Sequence, residues 1–360
     1  MKSSSLNLIQ HRRYHIVLRK VEDLAEAKAG YKLGQRPLVD ILQIQENLNA
    51  LIHLPNLPVS AQDRIAALME GQPENWALAR DLVNRLDSND TVLCVSEDAA
   101  IPIAALCASK KNRPQIISFF HNFIRPRGLT STKLFRVAST IDLFLVVSAY
   151  QGQFLQKYLN VPESSIRFIW DKVDTTFFRP TVKATKKVRP VVASVGLEKR
   201  DYKLLAAATY DMDIEVKISG ASPHAKQLRH SLPEVMPTNM SQRFYAWDEL
   251  LELYQKADIV VVSVFECNYA AGITSILEAM SCERPIIATK TKGLEAYFKA
   301  DAIFAVAPGN VGELRQGIRY FLEYPEKARE YAKRGRELAL KLHDVKNFAD
   351  TIATYMRNTR

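Results

Sequence analysis

Short apolar runs recur along this chain, separated by segments of helical period, and that alternation constrains the fold more than any other feature. Runs at 14–18, 50–54, 91–95, 115–120, 143–148 and 166–169 predict strands, with helical spacing at 80–86, 134–138 and 151–158 between them. The stretch 173–190, VDTTFFRPTVKATKKVRP, carries Pro180 and Pro190 without apolar periodicity and predicts a linker. The rhythm then restarts. Strands are expected at 191–195, 214–219, 259–263, 285–289 and 303–306, and helices at 202–208, 247–255 and 273–281. Alternation of this kind builds parallel sheets covered on both faces by helices. At 360 residues the chain exceeds the ~250–300 at which a single core stops growing, so two α/β domains are expected. Their bounds are 1–180 and 181–340, each a doubly wound Rossmann-like unit, with a closing helix at 341–360. Ligands of such sheets bind beyond the carboxyl ends of the strands, which points to the cleft between the domains.

Composition excludes several classes. With 47% hydrophobic and 24% charged residues the chain can fill cores, so global disorder is ruled out. No run approaches the ~20 apolar residues of a membrane-spanning helix. The opening MKSSSLNLIQHRRYH has no continuous apolar stretch of the secretory type. Cys94, Cys107, Cys267 and Cys282 lie far apart without metal spacing, and are expected to be buried, reduced thiols of a cytoplasmic protein.

The net charge is +10, split evenly as +5 in residues 1–180 and +5 in 181–360. An even split, without interleaved aromatics, argues against a nucleic-acid groove. One block does concentrate charge. Between Asp98 and Asp142 no acid occurs, while Lys110, Lys111, Arg113, Arg125, Arg127, Lys133 and Arg136 do. Arg125, Arg127, Lys133 and Arg136 are expected to face solvent or an anionic surface, which would make the chain a peripheral membrane protein.

The stretch 263–293, SVFECNYAAGITSILEAMSCERPIIATKTKG, is the most informative. A strand ends, and Gly272 opens a helix whose first-turn amides and glycine permit close approach of a phosphate. Thr274 adds a hydroxyl, and Glu278 lies one turn further on the same face, placed to accept from ribose hydroxyls.

GITSILEAMSCERPIIAT resembles the donor-binding motif of retaining glycosyltransferases of family four, which have the GT-B fold. SVGLEKRDYKLLAAAT at 194–209 resembles the first strand–loop–helix of that family's second domain. VSAYQGQFLQKYLNVPESSIRFIWDKVDTTFFRP at 147–180 resembles the close of its first domain. The likeness covers roughly residues 115–345. It implies a retaining transferase moving a sugar from a nucleoside-diphosphate donor to an acceptor hydroxyl, on a glycan or glycolipid, without metal or other cofactor. It also implies that the closing helix packs back on the first domain.

By the same resemblance, catalytic roles fall to His121, Arg200 and Glu278, and donor-binding roles to Gly196, Lys199, Gly220, Glu266, Gly272, Ile273 and Thr274. Arg200 is expected to be a loop residue that holds the diphosphate bidentately. Three positions depart from the pattern. Ala270 stands where the family has its first glutamate, and Glu266 is expected to reach the sugar instead. Leu197 stands where an arginine follows the glycine. Glu283 replaces a glycine in the CGxP turn, so its backbone is expected to avoid positive φ. A catalytically impaired scaffold of the same fold, and a basic nucleic-acid binder, are the alternatives. Asp211-Met212-Asp213 is expected to be a turn and not a metal site.

Overall fold

The computed structural model describes residues 12–121, 136–181, 187–220, 231–298 and 300–359. Two parallel six-stranded sheets account for its strands. The first contains β1 (Arg13–Val17), β2 (Leu51–His53), β3 (Asp90–Cys94), β4 (Gln115–Phe119), β5 (Leu143–Val146) and β6 (Ile166–Phe168), in the order β2-β1-β3-β4-β5-β6. The second contains β7 (Val191–Val195), β8 (Glu215–Ser219), β9 (Met240–Arg243), β10 (Ile259–Val262), β11 (Ile286–Thr289) and β12 (Phe304–Val306), in the order β12-β11-β10-β7-β8-β9. Strands buried at every position, such as β5, β7 and β10, are continuous apolar runs because helices cover both faces. β9, with the sequence MSQR, escapes apolar-run reasoning because it is an edge strand with one buried residue.

Chain order reverses between β1 and β3 in the first sheet, and between β7 and β10 in the second. Such switch points open a crevice at the carboxyl ends of the strands. In the first sheet that crevice is bordered by residues after Val17 and Cys94, and in the second by residues after Val195 and Val262.

The helices of the first domain include α1 (Leu24–Lys32), α2 (Asp40–Leu48), α3 (Ala61–Ala67), α4 (Pro73–Arg85), α5 (Glu97–Cys107), α6 (Val137–Thr140) and α7 (Ala149–Leu159). Those of the second include α8 (Tyr202–Thr209), α9 (Trp247–Lys256), α10 (Ile273–Ser281), α11 (Val311–Glu323) and α12 (Pro325–Leu342). The last helix, α13 (Val345–Asn358), starts at an Asp344 cap that accepts from Lys346 N. Its buried face, Phe348, Ala349, Ile352, Ala353 and Met356, has helical period. It lies against α2 of the first domain, where Asn47 donates to Asp350 at 2.7 Å and Arg357 donates to Asn47 O at 2.8 Å.

The stretch 173–190 is not simply a linker. Phe177 and Phe178 are buried, the Asp174 carboxylate accepts from Leu38 N, Thr176 N and Phe177 N, and Val173 N donates to His343 O at 2.7 Å. Val173, Phe177 and Phe178 are too few to show a period, but they join the core cluster shared by both domains. One hydrophobic cluster runs through both, from Ile16 and Val147 to Val195 and Ile276. Tyr297 of the second domain donates to Val147 O at 3.0 Å, which fixes the domains to each other beside the cleft.

Candidate active site

A cavity of about 770 Å³ lies between the two switch points and is lined from both domains. Its second-domain wall begins at Gly196, directly after β7. Gly196 has φ +117°, and a Cβ there would lie 2.1 Å from the Arg200 guanidinium. Only glycine leaves room for Arg200 to fold back over the strand end.

Arg200 lies on the loop between β7 and α8, as expected, but is 4% exposed and not a solvated charge. Its Nε donates to Val195 O at 2.8 Å, Nη1 to Glu198 O at 2.9 Å and Nη2 to Ser275 Oγ at 3.0 Å. These acceptors are all neutral. A buried cation held by neutral oxygens beside an open cavity is suited to receive an anion.

α10 begins at Gly272, with φ +92° and a would-be Cβ 2.8 Å from Val262 Cγ1. Both the dihedral and the crowding require glycine there. The helix start therefore sits against the end of β10, within 3.5 Å of Arg200 Nη1 as measured from that Cβ position. Its free first-turn amides and dipole add positive potential to the wall. Ile273 is buried and contributes backbone, whereas the Thr274 side chain is exposed.

Glu278 also lines the cavity but is 6% exposed, more buried than a solvent-facing carboxylate. It accepts from Tyr254 Oη at 2.7 Å. Burial pushes its carboxyl up to about 7, against the opposing pull of the Tyr254 hydrogen bond and the Arg200 charge.

Three expected donor residues are not on this wall. Glu266 is exposed outside it, accepting from Lys292 N at 3.3 Å. Lys199 takes φ +56° and its side chain is not part of the lining. Gly220 is buried at the end of β8, beyond β7 from the switch point, where Ile218 and Tyr202 crowd it. Glu283 is a further correction. It adopts φ +54° just after α10, so a side chain occupies the left-handed position that glycine usually takes.

Sequence reasoning passes over Glu198 and Tyr269. Tyr269 Oη donates to Glu198 Oε1 at 2.7 Å, and both residues line the cavity. Nothing local marks them, since they meet only after two loops 71 residues apart converge.

On the first-domain side, His121 follows β4 and borders the cavity. Its N–H donates to Glu97 at 3.1 Å, its ring stacks on Phe119, and Nε2 lies 3.3 Å from Val95 O. A carbonyl can only accept, so the proton is on Nε2 and Nδ1 is the basic nitrogen of the neutral ring. Arg19, after β1, stands 3.7 Å from Asp98 across the same mouth.

Of the basic block, Arg125, Arg127 and Lys133 lie outside the described residues, and Arg136 is exposed at the start of α6. Lys110 and Arg113 are structural. Lys110 donates to Val83 O and Leu86 O, and Arg113 forks onto Asp142 at 2.8 and 2.9 Å. Asp211 accepts a similar fork from Arg315 at 2.6 and 2.7 Å, away from the cavity. Among the described residues no cluster of three or more His, Cys, Asp or Glu could hold a metal ion, and no helix is long and apolar enough to cross a membrane. The four cysteines are buried and free.

Two facing doubly wound domains with a cavity at both switch points define the GT-B fold. Residues 173–338 match the family model of glycosyl transferases group 1. The matched span is narrower than the stretch over which the sequence motifs run. A glycosyltransferase from Rickettsia africae superposes with a TM-score of 0.67 at 14% identity, over 97% of this chain and 100% of its own. HepE from Anabaena in complex with UDP gives 0.71 at 16%, over 96% and 99%. An α,α-trehalose-phosphate synthase (UDP-forming) from Burkholderia vietnamiensis gives 0.70 at 11%, over 96% and 99%. No curated protein matches the sequence.

Proposed function

We propose that this chain transfers a sugar from a nucleoside-diphosphate donor to an acceptor hydroxyl, with retention at the anomeric carbon. The observation that carries the reading is the convergence of Arg200, Gly196 and the α10 start at Gly272 on the second-domain wall of the cleft. In that reading the diphosphate lies at the α10 start beside Arg200 and the Thr274 hydroxyl. Charge grows on it as the glycosidic bond breaks, and fixed positive groups stabilise that charge more than the ground state. Glu278 takes the ribose hydroxyls. The Glu198 carboxylate, oriented by Tyr269, takes hydroxyls of the transferred sugar, in place of the acid absent at Ala270. His121 faces the sugar from the first domain.

The leaving diphosphate takes the acceptor proton, so no protein carboxylate attacks. The structural neighbour HepE is known in complexes with UDP and UDP-glucose, which makes UDP-sugars the first donors to try. The basic block around Arg136 is assigned to an anionic acceptor or leaflet, and sedimentation with anionic against neutral vesicles tests it.

The decisive experiment incubates the purified chain with UDP-, GDP- and ADP-sugars and an acceptor panel, and reads the product's anomeric configuration by NMR. Retention supports the reading. Inversion overturns the mechanism. Nucleotide binding without transfer to any acceptor favours a scaffold.

A further inference from the structure

A second cavity, of about 810 Å³, opens at the other end of the second sheet, among the residues that lead into β7 and β10. Its walls are the stretch 187–190, the turn 283–285 after α10, and the α11–α12 pair. Five cationic side chains line it, Lys187, Arg189, Arg284, Arg329 and Lys333, against the two acids Asp258 and Glu283.

The acids do not neutralise this set. Asp258 is committed to Lys187 Nζ at 2.6 Å and to Val191 N at 2.8 Å. Arg189 reaches acids only at 3.9 Å, on Asp213 and Glu215. Arg284 is partly buried, and its guanidinium donates only to carbonyls, Cys282 O at 3.1 Å and Ala257 O at 3.3 Å among them. Arg329 and Lys333 stand four residues apart on exposed turns of α12, and neither has an ion-pair partner within 4 Å among the described residues. Glu326 and Glu330 stand one turn before Arg329 and Lys333 on α12, but neither ion-pairs with them within 4 Å, so these two cations facing Arg284 across the cavity repel one another and favour an anion between them. The floor is apolar, formed by Phe321, Ala328 and Ala332, which excludes water from one side of such an ion.

We propose that this cavity is a binding site for a small phosphorylated molecule, distinct from the donor cleft. The recognition chemistry is a phosphate oxygen cluster between Arg284 on one wall and Arg329 with Lys333 on the other. An apolar or sugar-like remainder lies along Phe321. The site borders the turn that ends α10, whose other end forms the donor wall.

The test is calorimetry on the full chain with sodium pyrophosphate and with glucose 6-phosphate, at ionic strength held constant with chloride. The wild type and an Arg329→Ala/Lys333→Ala double variant are compared, since both side chains are exposed and their removal spares the core. Binding near or below about 1 mM, weakened about tenfold or more in the double variant, supports the site. UDP binding is measured in parallel and should be equal in the two proteins, so failure of the donor reading is told apart from failure of this one. No binding, or binding unchanged in the double variant, overturns the proposal. So does vesicle binding that depends on Arg329 and Lys333 without affinity for the small anions, which would make the patch a membrane contact.

Discussion

Tyr269 Oη and Glu198 Oε1 lie 2.7 Å apart, joining the loop after β7 to the loop before α10 across the donor side of the cleft. In the proposed reading a carboxylate beside the diphosphate would be repelled by phosphate, so Glu198 is assigned to the sugar hydroxyls. Glu198→Ala should lower kcat/KM for the preferred donor by roughly 10- to 100-fold, the worth of one or two hydrogen bonds to a charged group. Inhibition by free UDP should not change. An equal loss in UDP affinity would show that Glu198 serves the nucleotide instead.

Arg200→Ala should reduce both stability and transfer. Removing the guanidinium takes the Nη2 donor from the buried Ser275 Oγ and one of two donors from Val195 O, which Ser275 Oγ still serves, a cost of about 1–3 kcal/mol in all, read as a fall in Tm. Transfer should drop by about 10²–10³. Arg200→Lys keeps the charge and loses the fork, so its transfer rate should fall while more of the Tm survives. A full-rate Arg200→Ala enzyme would remove this residue from the site.

Two glycines should not tolerate alanine. At Gly272 the new Cβ meets Val262 at 2.8 Å in a left-handed conformation, costing about 1–3 kcal/mol and moving the start of α10. At Gly293 the Cβ would lie 1.9 Å from Tyr269 O, a backbone atom, so the 265–272 loop must shift bodily. Both variants should lose UDP binding in a thermal-shift assay. Gly309→Ala, in open space though also at positive φ, should lower Tm and keep UDP binding.

Glu278 titrates at about 7 in the fold, against an ordinary value of 4.5. Its folded pKa is raised, so the stability it contributes is full below pH 4.5 and is lost as pH rises toward 7. Glu278→Gln should therefore leave stability near wild type at pH 5 and increase it at pH 8, by an amount on the order of 3 kcal/mol. Denaturant unfolding at the two pH values checks it. A variant less stable at pH 8 than the parent would contradict the burial argument.

His53 shifts the other way. Burial first, then the neighbouring His15, depress it from 6.5 to about 4. His15 Nε2 faces the Asp90 carboxylate at 3.0 Å and donates there, and its Nδ1 lies 3.0 Å from His53 Nε2. Stability from the uncharged His53 is present above pH 6.5 and is lost as pH falls toward 4. His53→Gln should flatten the acid side of the Tm profile in that window. If its slope matches the parent's, His53 is not the group responsible.

Strands flanked by helices on both faces must be apolar at nearly every position, which is why β5, β7 and β10 are legible as plain runs. Gly272, followed by an apolar helix, is legible for a similar local reason, since a backbone dihedral near +90° demands glycine wherever it occurs. The same local logic fails at Glu283, where the end of α10 imposes a left-handed conformation on a residue that would not choose it.

The sequence by itself determined the doubly wound architecture of two sheets and the position of the helix start at Gly272, because both rest on periodicity and backbone freedom within a few residues. Tertiary structure alone decided which charged side chains face the cleft. Arg200 looks like a solvated loop cation until Val195 and Ser275, separated by 80 residues, close around it. Glu266 and Glu198 look alike as loop acids, yet only Glu198 meets Tyr269 inside the cavity. Burial and partnership of a polar group depend on which distant segments pack over it, and no local pattern carries that information.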